Sequence, residues 1–226
     1  MILPQCEIFP AVAAQEIVFV AGGRAPNFDW FRKISVGRKI FCIDRGIEVC
    51  RACGVVPDFL LGDFDSATAD SIDWAREKKI PDEKFPTDKD FTDTQLALRR
   101  ATEIFGEHAA ILTGGFGGRF DHLFSVLFTC AADGRKIFPA DEREIVLFVR
   151  SGESVSVKFR QIPKAVSLLP MTGVCRGVST KNLHWELSGA TLTQNFPNAV
   201  SNRADAEKIS VSVEFGTLAI YFCFSE

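Results

Sequence analysis

Apolar and polar positions follow two different grammars along this chain, and the change falls near residue 140. Before it, short unbroken apolar runs alternate with stretches whose apolar residues recur at helical spacing. That is the pattern of strand–helix units on a parallel sheet buried on both faces. Residues 16–21, 39–43, 58–61 and 109–112 read as strands, and each stops at Gly or Asp: Gly22-Gly23, Asp44, Gly62-Asp63 and Thr113-Gly114-Gly115. Leu96, Ala97, Ala101, Ile104 and Phe105 mark a helix that opens with Thr92 and Gln95 at capping-box spacing. A further helix is expected over about residues 120–132, with Gly134 as its stop.

Beyond residue 140 the runs are short, β-branched and aromatic, at 145–149, 155–159, 166–169, 209–215 and 218–224, with the last two joined through Gly216-Thr217 as a terminal hairpin. Evenly spaced strands of this kind predict an antiparallel sandwich or barrel. The expected organisation is therefore an α/β domain over residues 1–140 followed by a β domain over 141–226.

Composition narrows the function classes. With 226 residues, 46% hydrophobic and 24% charged, the chain can bury a core without staples, which excludes a disordered or fibrous protein. The net charge is −3 with no Lys/Arg block, which argues against phosphate-neutralising binding to nucleic acid. No apolar run reaches the ~18 residues of a membrane span, and the first basic residue, Arg24, falls too late for a signal peptide. Seven scattered cysteines, an odd number, read as reduced thiols in apolar segments, so a cytoplasmic location is expected. Cys50 and Cys53 alone have metal-ligand spacing, and with no second pair they read as two cysteines on a helix. The mild total hides a local concentration: residues 44–93 carry thirteen acids against seven bases, a net −6, leaving +3 for the rest.

The chemistry sits where ligands bind an open parallel sheet, at the carboxyl ends of its strands. Gly62-Asp63-Phe64-Asp65-Ser66 places two carboxylates on a turn leaving a strand, able to converge on one hard cation such as Mg²⁺, which in turn implies a phosphorylated ligand. Taken singly, such a pair reads more simply as a solvated turn whose Asp residues cap the next helix. Lys89-Asp90-Phe91-Thr92-Asp93 starts the following helix, expected on the same rim, where Asp is commonly a cap. In Gly114-Gly115-Phe116-Gly117-Gly118-Arg119-Phe120-Asp121-His122, four glycines expose amides and Arg119 offers a fork for phosphate oxygens. Gly22-Gly23 is a weaker loop of the same kind, and Thr113 and Ser66 lie beside these clusters. Together they point to Mg²⁺-nucleotide phosphoryl chemistry, without the GxxxxGK[ST] loop of a Walker NTPase.

The ordered set Gly62-Asp63-Phe64-Asp65-Ser66, Asp90-Phe91-Thr92-Asp93 and Gly117-Gly118-Arg119-Phe120-Asp121-His122 resembles thiamine pyrophosphokinase. Ser201-Asn202 and Thr180-Lys181-Asn182-Leu183-His184-Trp185 resemble that family's later elements, so the resemblance covers both halves. It implies a Rossmann-like α/β domain and a C-terminal antiparallel β-sandwich in a homodimer whose active site lies at the subunit interface. The implied reaction moves the pyrophosphoryl group of ATP onto the hydroxyl of thiamine and releases AMP.

Carried over residue by residue, Asp63, Asp65 and Asp93 would hold Mg²⁺, with Asp90 in support. Gly22, Gly23, Asp44, Ser66, Thr113 and Gly114 would line the nucleotide. Gly117, Gly118 and Arg119 would hold its phosphates, with Asp121 and His122 beside them. Ser201, Asn202 and Tyr221 would face thiamine, and Trp185 is the second choice of aromatic. Two positions depart from the family pattern. Asp44-Arg45-Gly46 stands where Asp-Gly-Gly is usual, and Asn182 replaces a glycine, a change Asn tolerates because it visits positive φ. A DxD phosphatase with an aspartate nucleophile and a non-catalytic nucleotide-binding module are the rival readings.

Overall fold

The computed structural model describes residues 1–11, 15–85, 88 and 90–226, so Lys89 lies outside the described residues. The chain forms two compact units. The strand Cys6–Phe9 (β1) opens the chain and belongs to the second of them.

The α/β unit spans Ala14–Thr129 and Arg135–Asp141. In chain order it contains β2 (Gln15–Val20), α1 (Phe28–Ser35), β3 (Lys39–Ile43), α2 (Gly46–Cys53), β4 (Phe59–Gly62), α3 (Ala69–Glu77), β5 (Asp82–Lys84), α4 (Asp93–Phe105), β6 (His108–Thr113), α5 (Phe120–Ala132, whose last residues join the other unit) and β7 (Ile137–Pro139). The strands are all parallel, in the order β5-β4-β3-β2-β6-β7. The chain thus runs outward from β2 to β5, then returns to β6 on the other side of β2, creating a topological switch between β2 and β6. Continuous burial of β6 and of the last four residues of β2 and β3 explains their unbroken apolar runs. Phe19, Phe41 and Phe59 stack across the middle strands, with Phe19–Phe41 centroids 5.4 Å apart and Phe41–Phe59 4.7 Å apart.

Local chemistry starts the helices. The Asn27 side chain caps α1 by accepting from the amides of Asp29 and Trp30. Thr92 and Gln95 form the reciprocal capping box expected at α4, whose Ala97, Leu98 and Ala101 are buried. Cys50 and Cys53 lie on α2, and all seven cysteines are free.

The β unit comprises Met1–Ala13, Cys130–Gly134 and Glu142–Glu226. Its strands are β1, β8 (Glu144–Val149), β9 (Ser154–Phe159), β10 (Ala165–Pro170), β11 (Val174–Lys181), β12 (Ala190–Thr193), β13 (Lys208–Ser212) and β14 (Leu218–Cys223). They make two antiparallel sheets, β1-β9-β13-β11-β12 and β10-β14-β8. Phe159 of the first meets Phe222 of the second at 5.3 Å, edge to face, so the sheets share one core.

Two expectations change here. Residues 1–9 do not belong with the α/β unit, because β1 pairs antiparallel with β9 along Cys6↔Phe159 to Phe9↔Ser156. The terminal hairpin is absent: β13 pairs with β9 and β11, whereas β14 pairs with β8 and β10. Residues 213–217 cross between the sheets, with Val213 bonded to Glu153, Phe215 to Arg176 and Thr217 to Met171. β11 escapes a periodicity reading because its register shifts between Cys175 and Val178, breaking the alternation.

Candidate active site

Glycine loops close the switch point. The amide of Ala21 donates to the Thr113 carbonyl at 2.8 Å, Gly23 to Gly114 at 2.7 Å and Arg24 to Phe116 at 2.6 Å. Arg24 has no sequence signal as a site residue, yet its guanidinium sits 5.6 Å from the Phe116 ring centre and reaches Asp141, 117 residues away, at 2.6 Å. Asp141 is 1% exposed, so this pair ties the exit of β2 to the segment after β7.

Four carboxylates crowd the neighbouring rim. Asp44, with φ 47, turns the chain after β3, and its Oδ1 accepts from the amides of Asp63 at 3.1 Å and Phe64 at 3.4 Å. Asp44 therefore shapes the turn after β4, where Phe64 takes φ 65, a strained conformation for a bulky residue. Asp63 Oδ1 accepts from the Asp65 amide at 3.1 Å. Burial first, and then the charges of Asp93 and Asp63, push the Asp44 carboxyl up to about 6, against the two amides that favour its ionised form. The Asp65 carboxyl is raised too, by its hydrogen bond with Asp63 and by the charges of Asp63 and Asp93. Asp44, Asp63, Asp65 and Asp93 are thus brought together. Asp90 is exposed and joins none of these contacts.

Asp44→Asn tests this crowding. Between pH ~4 and ~6 the folded state keeps a proton on Asp44 that the unfolded chain has released, so stability falls as pH rises through that window. The asparagine keeps the acceptor and suits positive φ but cannot ionise. It is expected to be about 1 kcal/mol more stable than the parent at pH 7, allowing for the screening of a half-buried group, with the gain vanishing near pH 4. Urea unfolding at both pH values measures this; a variant less stable at pH 7 would remove the strain argument.

The third cluster is more open. Gly117 and Gly118 have φ 71 and 70, and Arg119 forks onto Asp121 at 3.1 and 2.6 Å with both side chains exposed. The hydrogen bond to Arg119 holds the Asp121 carboxyl below the usual carboxylate range. Asp121 also accepts from the His122 amide at 3.0 Å, and His122 and Ser66 are exposed. Thr113 departs from expectation: it is 0% exposed, with its hydroxyl buried and unpartnered, so it lies beneath the rim. Among the described residues no group of three or more His, Cys, Asp or Glu is arranged to hold a metal ion.

The remaining candidates lie in the β unit. The Ser201 amide, at φ 57, donates to Ser167 Oγ at 3.0 Å, and Ser167 lies opposite Tyr221 in the β10–β14 register. Burial, then the nearby Glu144 charge, pushes the Tyr221 hydroxyl well above its usual range. Asn202 is 8% exposed, and its amide group is committed to the backbone of Trp185: Oδ1 accepts from Trp185 N at 3.1 Å and Nδ2 donates to Trp185 O at 2.8 Å. Asn202 therefore presents Trp185, an aromatic 58% exposed with the Arg203 guanidinium 5.9 Å from its ring centre. Asn182 takes φ 63, the positive-φ conformation its neighbourhood requires.

A six-stranded parallel sheet with glycine and aspartate loops at its carboxyl rim, joined to a two-sheet antiparallel unit, defines a class of nucleotide-handling α/β-plus-β proteins. Family comparison makes it particular. Residues 34–138 match the catalytic domain of thiamin pyrophosphokinase and residues 154–218 its vitamin B1 binding domain. The chain belongs to the thiamin pyrophosphokinase family. It is 28% identical over 162 residues to thiamin pyrophosphokinase 1 of Caenorhabditis elegans, a match spanning 68% of this chain and 65% of that protein. Its fold is similar to the thiamine pyrophosphokinase of Bacillus subtilis (TM-score 0.81, 20% identity, 94% of this chain and 100% of that one). It is also similar to that of Candida albicans (TM-score 0.74, 13% identity, 98% and 97%).

Proposed function

We propose that this protein transfers the pyrophosphoryl group of ATP to the hydroxyl of thiamine, giving thiamine diphosphate and AMP. The observation that carries the reading is the crowding of Asp44, Asp63, Asp65 and Asp93, in which Asp44 accepts from the Asp63 amide and Asp63 from the Asp65 amide, on the rim that also bears the glycine loops. Asp63, Asp65 and Asp93 are not arranged as a three-ligand set, but as oxygen donors under mutual repulsion they are the residues that would hold Mg²⁺. Bound there, Mg²⁺ would neutralise phosphate charge. Asp44 orients the Asp63 turn through its backbone amides, and Asp93 is the carboxylate we assign to accept the proton of the attacking hydroxyl. Arg119, released from Asp121, offers two parallel donors to phosphate oxygens.

Thiamine is a cation, and the β unit supplies what a cation with aromatic rings needs. Trp185 gives an exposed face, and Tyr221 and Ser201 lie around Ser167. Asn202 acts by holding Trp185 rather than by touching the ligand.

The family pattern adds a homodimer. An exposed ladder on α5 supports it: Phe120, Phe124 and Phe128 are 77%, 51% and 36% exposed and stack on one another, a patch of the kind that marks association. Among the described residues no helix is long and apolar enough to cross a membrane. Seven free thiols suit the reducing cytoplasm, where we place the protein.

Incubation with ATP, Mg²⁺ and thiamine is expected to yield AMP and thiamine diphosphate in equal amounts, read by chromatography. ADP in place of AMP would exclude pyrophosphoryl transfer and point to a simple kinase or phosphatase.

A further inference from the structure

Arg45 stands at the N-cap of α2, directly after Asp44, and its own side chain makes no cap hydrogen bond there. Its aliphatic stem lies against Gly22 at the end of β2. An ideal Cβ on Gly22 would fall 2.3 Å from Arg45 Cγ and 2.9 Å from Cδ, so the missing side chain at Gly22 is what lets the stem occupy this place. The side chain is 54% exposed and its partner is loose: Nη2 lies 3.7 Å from Glu48, whose other oxygen accepts from the Thr68 amide at 3.2 Å.

The other two arginines of this rim are held differently. Arg24 is locked on buried Asp141 at 2.6 Å, and Arg119 is closed on Asp121 at 2.6 Å. A polyphosphate approaching the four crowded carboxylates needs positive charge close by, and Arg45 is the guanidinium whose present ion pair costs least to exchange.

We infer that Arg45 is a phosphate-holding residue: its guanidinium takes oxygens of the nucleotide polyphosphate, with its stem seated on Gly22. The inference rests on the ATP reading above and deepens it.

The test compares Arg45→Ala, Arg45→Lys and Gly22→Ala with the parent, using calorimetric titration of ATP with Mg²⁺ and steady-state KM values for ATP and thiamine. Arg45→Ala is expected to raise Kd and KM for ATP about tenfold while KM for thiamine stays within twofold. Arg45→Lys should recover only part, since an ammonium lacks the planar fork. A methyl at Gly22 displaces the stem, so Gly22→Ala should shift ATP affinity as Arg45→Ala does. The double variant should be no worse than either single one, the non-additivity expected of one shared device. Circular dichroism melting separates misfolding from weakened binding.

If the parent binds ATP and Arg45→Ala binds it within twofold, this inference falls and the ATP reading stands. If the parent binds no ATP, both fall. Additive effects of the Gly22 and Arg45 changes would overturn the seating of the stem.

Discussion

Asp63→Asn is expected to lower ATP- and thiamine-dependent turnover by about 10²–10³-fold, the scale seen when one charge-stabilising group leaves a preorganised site. The fold should survive. Asp63 makes its structural contribution through Oδ1, which accepts from the Asp65 amide, and asparagine keeps that acceptor. The backbone amide of Asp63 still donates to Asp44, so the turn after β4 is preserved as well. What disappears is one negative charge from the group Asp44, Asp63, Asp65 and Asp93, and with it the carboxylate best placed beside Asp65 for a shared cation. Product formation at saturating ATP and thiamine, with melting temperature as the control, measures the effect. A near-normal rate would take Asp63 out of the metal set, and a collapsed melting temperature would make its role structural.

Gly46→Ala should instead strike the fold. At the first residue of α2, an ideal Cβ would lie 1.8 Å from the Val20 carbonyl oxygen and 2.6 Å from the Val20 carbon. Both are main-chain atoms of the central strand, so no rotamer change can relieve the overlap. Either α2 withdraws from the sheet or β2 shifts within it, and the expected loss is about 3 kcal/mol or more, at or beyond the upper end of ordinary overpacking. Because α2 follows Asp44 and Arg45, the same shift should weaken nucleotide binding. Urea unfolding followed by circular dichroism checks the first part. Stability equal to the parent would show that the close approach of helix and strand is not maintained in solution.

These two glycine and aspartate positions differ in how far the sequence announces them. Asp63 is legible because it stands two residues before Asp65 at the end of an apolar run, and the spacing alone puts both on one turn. Gly46 is not. It stands in the sequence only as the glycine of Asp44-Arg45-Gly46, and the reason for it shows when β2 and α2 are seen in contact. The same division runs through the candidate site. Gly117, Gly118, Arg119 and Asp121 can be found by composition and order along the chain. Arg24 cannot, because its significance lies in Asp141, distant in sequence. Asn202 can be flagged as part of a motif, yet only its hydrogen bonds to Trp185 show that it positions an aromatic instead of facing a ligand. Thr113 sits beside a glycine loop in sequence and beneath the rim in space.

What the sequence determined by itself is the kind of each element and the place where chemistry collects. Periodicities of two and 3.6 residues, helix caps and glycine or aspartate stops are local properties, set by backbone geometry within a few residues. They suffice for β2, β3, β4 and β6, for α4 with its Thr92 cap, and for the acidic rim, but not for the three-residue edge strands β5 and β7, too short to show a period. Only the tertiary structure decided the partners. β1 crosses to the C-terminal sheet, β13 and β14 enter different sheets despite a short connection, and Asp44 is pushed up to about 6 by burial first and then by the carboxylates of Asp93 in α4 and Asp63 after β4. Pairing, burial and charge crowding depend on which distant segments meet, and that choice is made by the packing of the whole core.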